Sequence, residues 1–319
     1  MTRWRELEIE LTTICNAKCP FCNRSQLVDL EPINLDFNIF HKIPFDQFEF
    51  IGLCGNRGDP IFYPRLFDLI TYIKDVSHNN TSVTIQTNGS VHDFGWWAEL
   101  GELIRYHKNN HIIFAVDGLN DTHSLHRVGT DFNRIVQNID AFIMSGGNAI
   151  IQFIVFKHNE HQLEDVKQLA EDIGCVGFWT RQSRCFTDEL QRPLISYNTT
   201  RTELNNQNTD KDIVCDMIHR DKYYLTVYGE IRPCCFMGDD NYVDDFTLFF
   251  KSQIKDLIGL KYISDYKKEP TENNLYYNSF NDAIDSGYIK SIRKHYEHIY
   301  RCKEKCHTNF NEIVDHERL

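Results

Sequence analysis

Three cysteines fall within eight residues, Cys15-Asn-Ala-Lys-Cys19-Pro-Phe-Cys22. Thiolates at CxxxCxxC spacing in one tight loop can converge on an iron–sulfur cluster, and three ligands leave a fourth iron without a protein donor. An iron left open in this way can bind a small molecule, whereas a fully ligated cluster mainly stores or passes electrons. A zinc loop or three unrelated core thiols are the plainer alternatives. A second set lies far downstream: Cys215, Cys234 preceded by Gly229 at G-x4-C spacing, and the closing pair Cys302 and Cys306. Four soft ligands suit a second [4Fe–4S] cluster or a tetrahedral zinc. Cys235 is spare beside Cys234, because neighbouring side chains on a strand point to opposite faces. The chain has 11 cysteines and no export signal, an odd count that fits metal binding better than a disulfide framework. Cys54, Cys175 and Cys185 lie beside predicted strands and default to small buried side chains.

These residues need elements to position them. Short β-rich runs at Leu7–Leu11, Phe48–Leu53, Ser82–Gln86, Ile112–Val116, Ala149–Val155 and Val176–Trp179 alternate with helical stretches at Pro64–Val76, Trp96–His107, Asp131–Met144 and Gln162–Ile173. Leu66, Leu69, Ile70 and Ile73 form one apolar helix face, and Gly146-Gly147 and Gly174 stand where helices should end. Regular strand–helix alternation indicates a parallel α/β sheet, either doubly wound or curved toward a barrel. The pattern breaks after residue 186. A polar stretch over 188–212 reads as a linker between residues 1–187 and a cysteine-rich segment, 213–319. That segment opens with a hairpin at Tyr223–Cys235 and holds a helix near Asp282–Tyr300.

The motif around Phe21, with Cys15, Cys19 and Cys22, resembles the CxxxCxΦC signature of the radical S-adenosylmethionine (radical SAM) superfamily over roughly residues 5–180. The resemblance implies a partial (β/α)6 barrel, in which the three cysteines hold a [4Fe–4S] cluster whose open iron chelates SAM, and backbone near Phe21 contacts adenine. One electron then cleaves the sulfonium, and the resulting 5′-deoxyadenosyl radical abstracts hydrogen. Further likenesses follow at strand ends, the edge where ligands bind in such sheets. Arg57-Gly58-Asp59-Pro60 resembles the family's GGEP motif, with Arg for the first Gly and Asp for Glu, so Asp59 is the expected acceptor near the SAM ammonium. Thr87-Asn88-Gly89 resembles its TNG segment. Asp117-Gly118 resembles its DG segment, with Asp117 facing ribose or substrate, Arg127 pairing with the SAM carboxylate, and His123 read as structural.

The second cysteine set is similar to the SPASM/twitch class in its single-cluster, twitch-like form. This implies a C-terminal α+β auxiliary domain with Cys215, Cys234, Cys302 and Cys306 as ligands, hence two [4Fe–4S] clusters and SAM as cofactors. The auxiliary cluster would take up the electron left by a deprotonated substrate radical, or relay reductant. A thiol would instead return hydrogen without net oxidation, and Cys54, near the ligand edge, is the candidate donor. Only fourteen residues precede Cys15, which argues against a leader-binding winged helix there.

Composition narrows the partners. With 34 Lys+Arg against 46 Asp+Glu, the formal charge of −12 disfavours nucleic acid as a substrate. No long apolar window or signal region appears, so a soluble, cytoplasmic protein that does not insert in membranes is expected. A local basic edge of Lys157, His158, Arg181, Arg184 and Arg192 could bind an anion, and Tyr223, Tyr224, Tyr228, Phe236, Phe249 and Phe250 pack the C-terminal part or line a cavity. The leading expectation is a radical SAM enzyme acting on a peptide or small molecule with electrons from a flavodoxin or ferredoxin. A non-catalytic iron–sulfur or zinc scaffold, or a nucleic-acid-binding protein on the same fold, is the alternative.

Overall fold

The computed structural model describes residues 4–27, 30–183, 186–194, 215, 221–235, 272–296 and 317–318. Six strands, β1 (Trp4–Glu10), β2 (Phe48–Cys54), β3 (Ser82–Thr87), β4 (His111–Ala115), β5 (Ala149–Val155) and β6 (Gly177–Gln182), alternate with helices. The helices are the short α1 (Asn23–Gln26), α2 (Leu66–Val76), α3 (Phe94–Ile104), the short α4 (His123–His126), α5 (Phe132–Met144) and α6 (Leu163–Asp172). The strand boundaries agree with the sequence periodicity to within one residue except at β1, which starts earlier and leaves Leu11 as a buried residue of the following loop, and at β6, which runs three residues further, to Gln182.

Strand order decides between the two α/β architectures. The sheet runs β8-β7-β1-β2-β3-β4-β5-β6-β9, where β7 is Lys222–Leu225, β8 is Ile231–Arg232 and β9 is Glu317–Arg318. From β1 to β6 the order never reverses and every neighbour is parallel. A doubly wound sheet would reverse at a switch point, so the fold is of the partial-barrel kind. The expected hairpin forms, but its first strand adds parallel to β1 and so extends this same sheet. Helices α7 (Phe280–Ile284) and α8 (Gly287–His295) close the described C-terminal part.

Period-two alternation gives each strand two chemically different faces. Leu7, Ile9, Ile51, Leu53, Val83, Ile85, Ile112, Phe114, Ile151 and Phe153 join one apolar core beneath the helices. Helix α2 lays Leu66, Leu69, Ile70 and Ile73 on that core. Phe280 of α7 packs against Trp4, Phe48 and Tyr223 at 5.1, 5.6 and 6.0 Å between ring centroids, so the C-terminal helices share it. The alternate residues, among them Glu8, Glu10, Gly52, Cys54, Gln152 and Tyr224, turn to the inner face, where Ile113, Ile150 and Trp179 form a separate small apolar cluster. Asp93 and Asp131 cap α3 and α5 by accepting from Trp96 and Arg134 backbone N–H at 2.9 and 3.2 Å, each cap contributing about 1 kcal/mol. Gly146 (φ 91°) and Gly174 (φ 83°) end α5 and α6 in the left-handed conformation read from the sequence. Among the described residues, no helix is long and apolar enough to cross a membrane.

Candidate active site

The cysteine loop leaves the carboxyl end of β1 and is pinned on both sides. Thr13 Oγ1 donates to Glu31 O at 2.7 Å and accepts from Ile33 N–H at 2.8 Å, while Lys18 N–H donates to Val128 O at 2.8 Å. Cys22 N–H closes a turn onto Cys19 O at 3.2 Å, and Phe21 between them sits at φ 64°, unfavourable for a bulky residue. Cys19 is buried and Cys15 and Cys22 are half-buried. Burial pushes the Cys15 thiol up to about 12, with Asp59 and the other two thiols adding to the shift, so the three sulfurs sit within electrostatic reach of one another. Burial also raises Cys19, against the pull of the Arg127 guanidinium, whose Nη1 lies 4.0 Å from Cys19 Sγ.

Three thiols within electrostatic reach of one another, with one cation beside them, are the donor types a thiolate-ligated iron cluster requires. Among the described residues, no three His, Cys, Asp or Glu side chains gather around a single ion. A cluster gives each cysteine its own iron and does not require them to.

The loop after β2 approaches the cysteine loop so closely that only glycine fits at 58: a Cβ there would lie 2.0 Å from Thr12 O. Asp59 N–H donates to Ile14 O at 2.9 Å. Its carboxylate joins the ends of β2 and β3, accepting at Oδ2 from Thr87 Oγ1 (3.0 Å), Asn88 N–H (2.8 Å) and Asn88 Nδ2 (2.8 Å), and at Oδ1 from Ile61 N–H (3.3 Å). Burial nevertheless lifts its pKa to about 6. Asn88 Nδ2 also reaches Asn16 Oδ1 at 3.0 Å and Cys15 Sγ at 3.6 Å, so Asp59, Asn88 and the first cysteine form one unit. Arg57, which stands where the resembling motif has glycine, donates from its backbone N–H and Nη1 to the two carboxylate oxygens of Glu10 at 2.8 and 3.2 Å.

Asp117, at the end of β4, is 0% exposed and its carboxylate is taken up by the protein's own donors: Oδ2 accepts from Arg127 Nε (2.5 Å) and His126 Nδ1 (2.7 Å), and Oδ1 from Ile154 N–H (2.7 Å). A buried carboxylate without such donors would be unstable, which is why this one is enclosed by them. Burial opposes its ionisation, but Arg127 and His126 hold the carboxyl well below the usual range. Asp117 therefore acts at one remove, fixing the guanidinium of Arg127, whose side chain keeps 15% of its surface, beside Cys19.

His123 is structural, as read from the sequence. Its Nδ1 accepts from Asp117 N–H at 3.2 Å, and its Nε2 donates to Thr130 Oγ1 at 2.9 Å, since that hydroxyl already donates to Arg127 O. Burial lowers its pKa to about 4, so the ring is neutral in the fold and protonates more readily once unfolded. The stability it contributes is complete above the unfolded value near 6.5 and is lost as pH falls toward 4, up to about 3 kcal/mol. Thermal unfolding of the wild type compared with His123→Gln should show this difference in slope between pH 6.5 and 4; parallel curves would contradict it.

The remaining candidates divide. Cys175 is a buried core thiol. Cys185, Cys302, Cys306, Arg184, Phe236, Phe249 and Phe250 lie outside the described residues. Of the basic edge, Lys157 Nζ donates to Gln191 Oε1 at 2.9 Å, Arg181 Nε donates to Gln152 Oε1 at 3.3 Å, and Arg192 lies 4.5 Å over the Phe186 ring. Tyr223 packs in the core and Tyr228 lies 5.5 Å below the Arg57 guanidinium. Cys234 and Cys235 diverge. Cys234 acts electrostatically on Tyr288 of α8, and Cys235 on Cys54 at the end of β2. Sequence reading missed Glu10, Asn16 and His126; for Glu10 the available signal was its place on the inner, even-numbered face of β1 beside an apolar core.

The family profile of the Radical SAM superfamily matches residues 9–172. Over 101 residues the chain is 31% identical to the tungsten-containing aldehyde ferredoxin oxidoreductase cofactor-modifying protein of Pyrococcus furiosus, covering 30% of this chain and 27% of that protein. Over 285 residues it is 23% identical to a probable GTP 3′,8-cyclase of Methanocaldococcus jannaschii, covering 78% and 90%. Among solved structures, SuiB of Streptococcus suis bound to S-adenosylmethionine superposes with a TM-score of 0.57 at 16% identity, over 75% of this chain and 62% of that one. Histidine-tagged anSMEcpe with bound AdoMet gives 0.53 at 13% identity, over 95% and 100%. At these identities the two structures bear on the fold. The chain thus spans about a quarter of the first curated relative and under two thirds of SuiB.

Proposed function

The chain belongs to the radical SAM superfamily, enzymes that work with S-adenosylmethionine and a [4Fe–4S] cluster, and from that premise we propose that it generates a 5′-deoxyadenosyl radical to abstract hydrogen from a substrate C–H bond. The observation that supports this most directly is the loop after β1, where Cys15, Cys19 and Cys22 lie within electrostatic reach of one another beside an Arg127 fixed by buried Asp117. When bound, the cluster supplies the electron that cleaves the SAM sulfonium, and SAM supplies the radical.

The protein's own residues bind and orient. Cys15, Cys19 and Cys22 would hold the cluster and leave it an open position for SAM. The backbone at Phe21 would contact adenine. Gly58, Asp59 and Pro60, with Thr87 and Asn88, shape the wall that receives the methionine end. Arg127 would donate from its remaining N–H groups to the SAM carboxylate, with Asp117, which takes its Nε, as the residue that positions it.

A second [4Fe–4S] cluster on Cys215, Cys234, Cys302 and Cys306, aiding oxidation or electron transfer, belongs to the same proposal. It is favoured by the turning of Cys234 toward Tyr288 of α8, the helix whose sequence runs on to Cys302 and Cys306. The substrate is a peptide or small molecule, and the electron donor a flavodoxin or ferredoxin. A peptide is favoured by the structural likeness to SuiB, solved with the precursor peptide SuiA, and to anSMEcpe, solved with the Cp18Cys peptide.

Anaerobic reconstitution tests this reading. About eight irons per chain and reductant-dependent release of 5′-deoxyadenosine are expected. About four irons would remove the auxiliary cluster, and bound metal without SAM cleavage would leave only a scaffold.

A further inference from the structure

The short α4 and the turn that follows it are fastened to the cysteine loop at three points. Lys18 N–H donates to Val128 O at 2.8 Å, Asn16 Nδ2 donates to Gly129 O at 3.1 Å, and Arg127 Nη1 lies 4.0 Å from Cys19 Sγ. Gly129 stands at φ 88°, and a Cβ there would lie 3.1 Å from Asn16 O, so glycine suits both the turn and the close approach. This joint presents two exposed apolar side chains, Leu125 (51%) and Val128 (39%). Scattered apolar side chains on a surface need no explanation. These two stand three residues apart, and Val128 is bonded directly to the exposed Lys18.

Charge singles out the same place. The chain carries a formal charge of −12, yet the stretch from Leu11 to Val28 contains Lys18 and Arg24 and no Asp or Glu. Arg24 is partly exposed and is steadied by its Nε, which donates to Thr13 O at 3.1 Å. The acids flanking α4 and its turn are engaged locally: Asp121 Oδ1 accepts from Gln162 Nε2 at 2.8 Å, and Asp131 caps α5. We infer that Leu125 and Val128, rimmed by Lys18 and Arg24, form the docking face for an acidic one-electron carrier of the flavodoxin class. The inference rests on the proposed radical chemistry and adds the place where its electron enters. The dimethylbenzene edge of a flavin is apolar and matches the Leu125–Val128 pair, while acidic side chains around it would meet the basic rim.

Electron transfer rate falls steeply with distance, so a carrier must approach the cysteines closely. From Val128 one hydrogen bond leads to Lys18, the residue before Cys19. Redox encounters are small and transient, commonly under about 1,200 Å², so an apolar centre of two side chains suffices where a permanent partner would need more. Charge at the rim sets the encounter rate and orientation more than the affinity, and does so against the repulsion expected between two acidic proteins. In the step itself the flavin hydroquinone anion becomes the neutral semiquinone and no proton moves. The one electron released reduces the cluster proposed on Cys15, Cys19 and Cys22.

Binding and turnover test this separately. The full chain, reconstituted anaerobically, is titrated with a fluorescently labelled flavodoxin in its oxidised state, which binds without turnover. Leu125→Glu and Lys18→Glu should each raise Kd several-fold, and raising salt from about 50 to 300 mM should weaken the wild-type complex. Met144→Glu, an exposed apolar site at the other end of α5, should leave Kd unchanged. Release of 5′-deoxyadenosine is then driven either by flavodoxin hydroquinone or by titanium(III) citrate, a small reductant that needs no docking face. At limiting carrier, Leu125→Glu should slow the first several-fold and leave the second as in the wild type. Wild-type binding in both Leu125→Glu and Lys18→Glu, the result if the chain's own C-terminal segment or a peptide substrate covers this face, would overturn the inference. So would equal losses under the two reductants, or a wild type that does not bind the carrier. Absence of titanium-driven release from the wild type would instead overturn the proposed function, and the binding titrations would still decide the docking face.

Discussion

Cys19→Ala is expected to abolish SAM cleavage while leaving the fold in place. The side chain is small and its residue 8% exposed, so its removal from the apoprotein should cost about 1 kcal/mol, within the ordinary range for a buried substitution. The loop keeps its other fastenings: Thr13 to Glu31 and Ile33, Lys18 N–H to Val128 O, and Asp59 N–H to Ile14 O. Arg127 also keeps Asp117, whose contact does not pass through the sulfur. The loss of cluster binding is of another order, because two thiolates cannot hold three irons. Iron content should fall by about four per chain, and 5′-deoxyadenosine should fall to background. Cys175→Ala, which deletes a comparably buried thiol from the core, should retain both. Equal losses in the two variants would mean that Cys19 matters for packing alone.

The sequence made the strands, the helices and the cysteine loop legible because each is written in local terms: period-two and period-3.6 apolar patterns, and a ligand motif within eight residues. The choice between a barrel and a doubly wound sheet was not local. It depends on which strands pair, and the unreversed order from β1 to β6 becomes visible only in the sheet. The same holds for β7, which reads as half of an isolated hairpin yet pairs with β1 more than two hundred residues earlier. At the site, the chemical types were legible and their directions were not. Asp117 reads as a ligand-facing acid through its resemblance to the family's DG segment; its enclosure by His126, Arg127 and the Ile154 N–H is not announced by that motif. Arg57 looked like an imperfection in a glycine motif. The structure supplies its reason in Glu10, 47 positions earlier.

That pair carries the second large effect. Glu10 and Arg57 are 0% and 3% exposed, and Val227 N–H also points at Glu10 Oε2 at 3.4 Å, so β1, the Gly58-Asp59 loop and the turn after β7 meet at one carboxylate. Glu10→Leu removes the buried carboxylate that accepts from both the Arg57 guanidinium and its backbone N–H, and should destabilise the protein by about 3–5 kcal/mol. Arg57→Gly, which restores the motif glycine, should be milder at low pH. Burial already raises the Glu10 carboxyl and Arg57 opposes that shift, so without Arg57 the carboxyl takes up a proton instead of standing as a bare charge. A raised carboxyl pKa favours the fold below it and loses that benefit as pH rises through it, so the Arg57→Gly penalty should grow from pH 5 to pH 8. Glu10→Leu/Arg57→Leu removes both charges and should recover part of the stability lost in Glu10→Leu, because no bare charge stays buried although the Arg57 and Val227 backbone N–H groups lose this acceptor. Chemical unfolding of the wild type, Glu10→Leu, Arg57→Leu and the double variant closes a double-mutant cycle, and a coupling below about 1 kcal/mol would show that the pair is not the joint. SAM affinity separates stability from positioning: if Glu10 and Arg57 hold the Gly58-Asp59 loop against Thr12, the stable double variant should still bind SAM more weakly than the wild type.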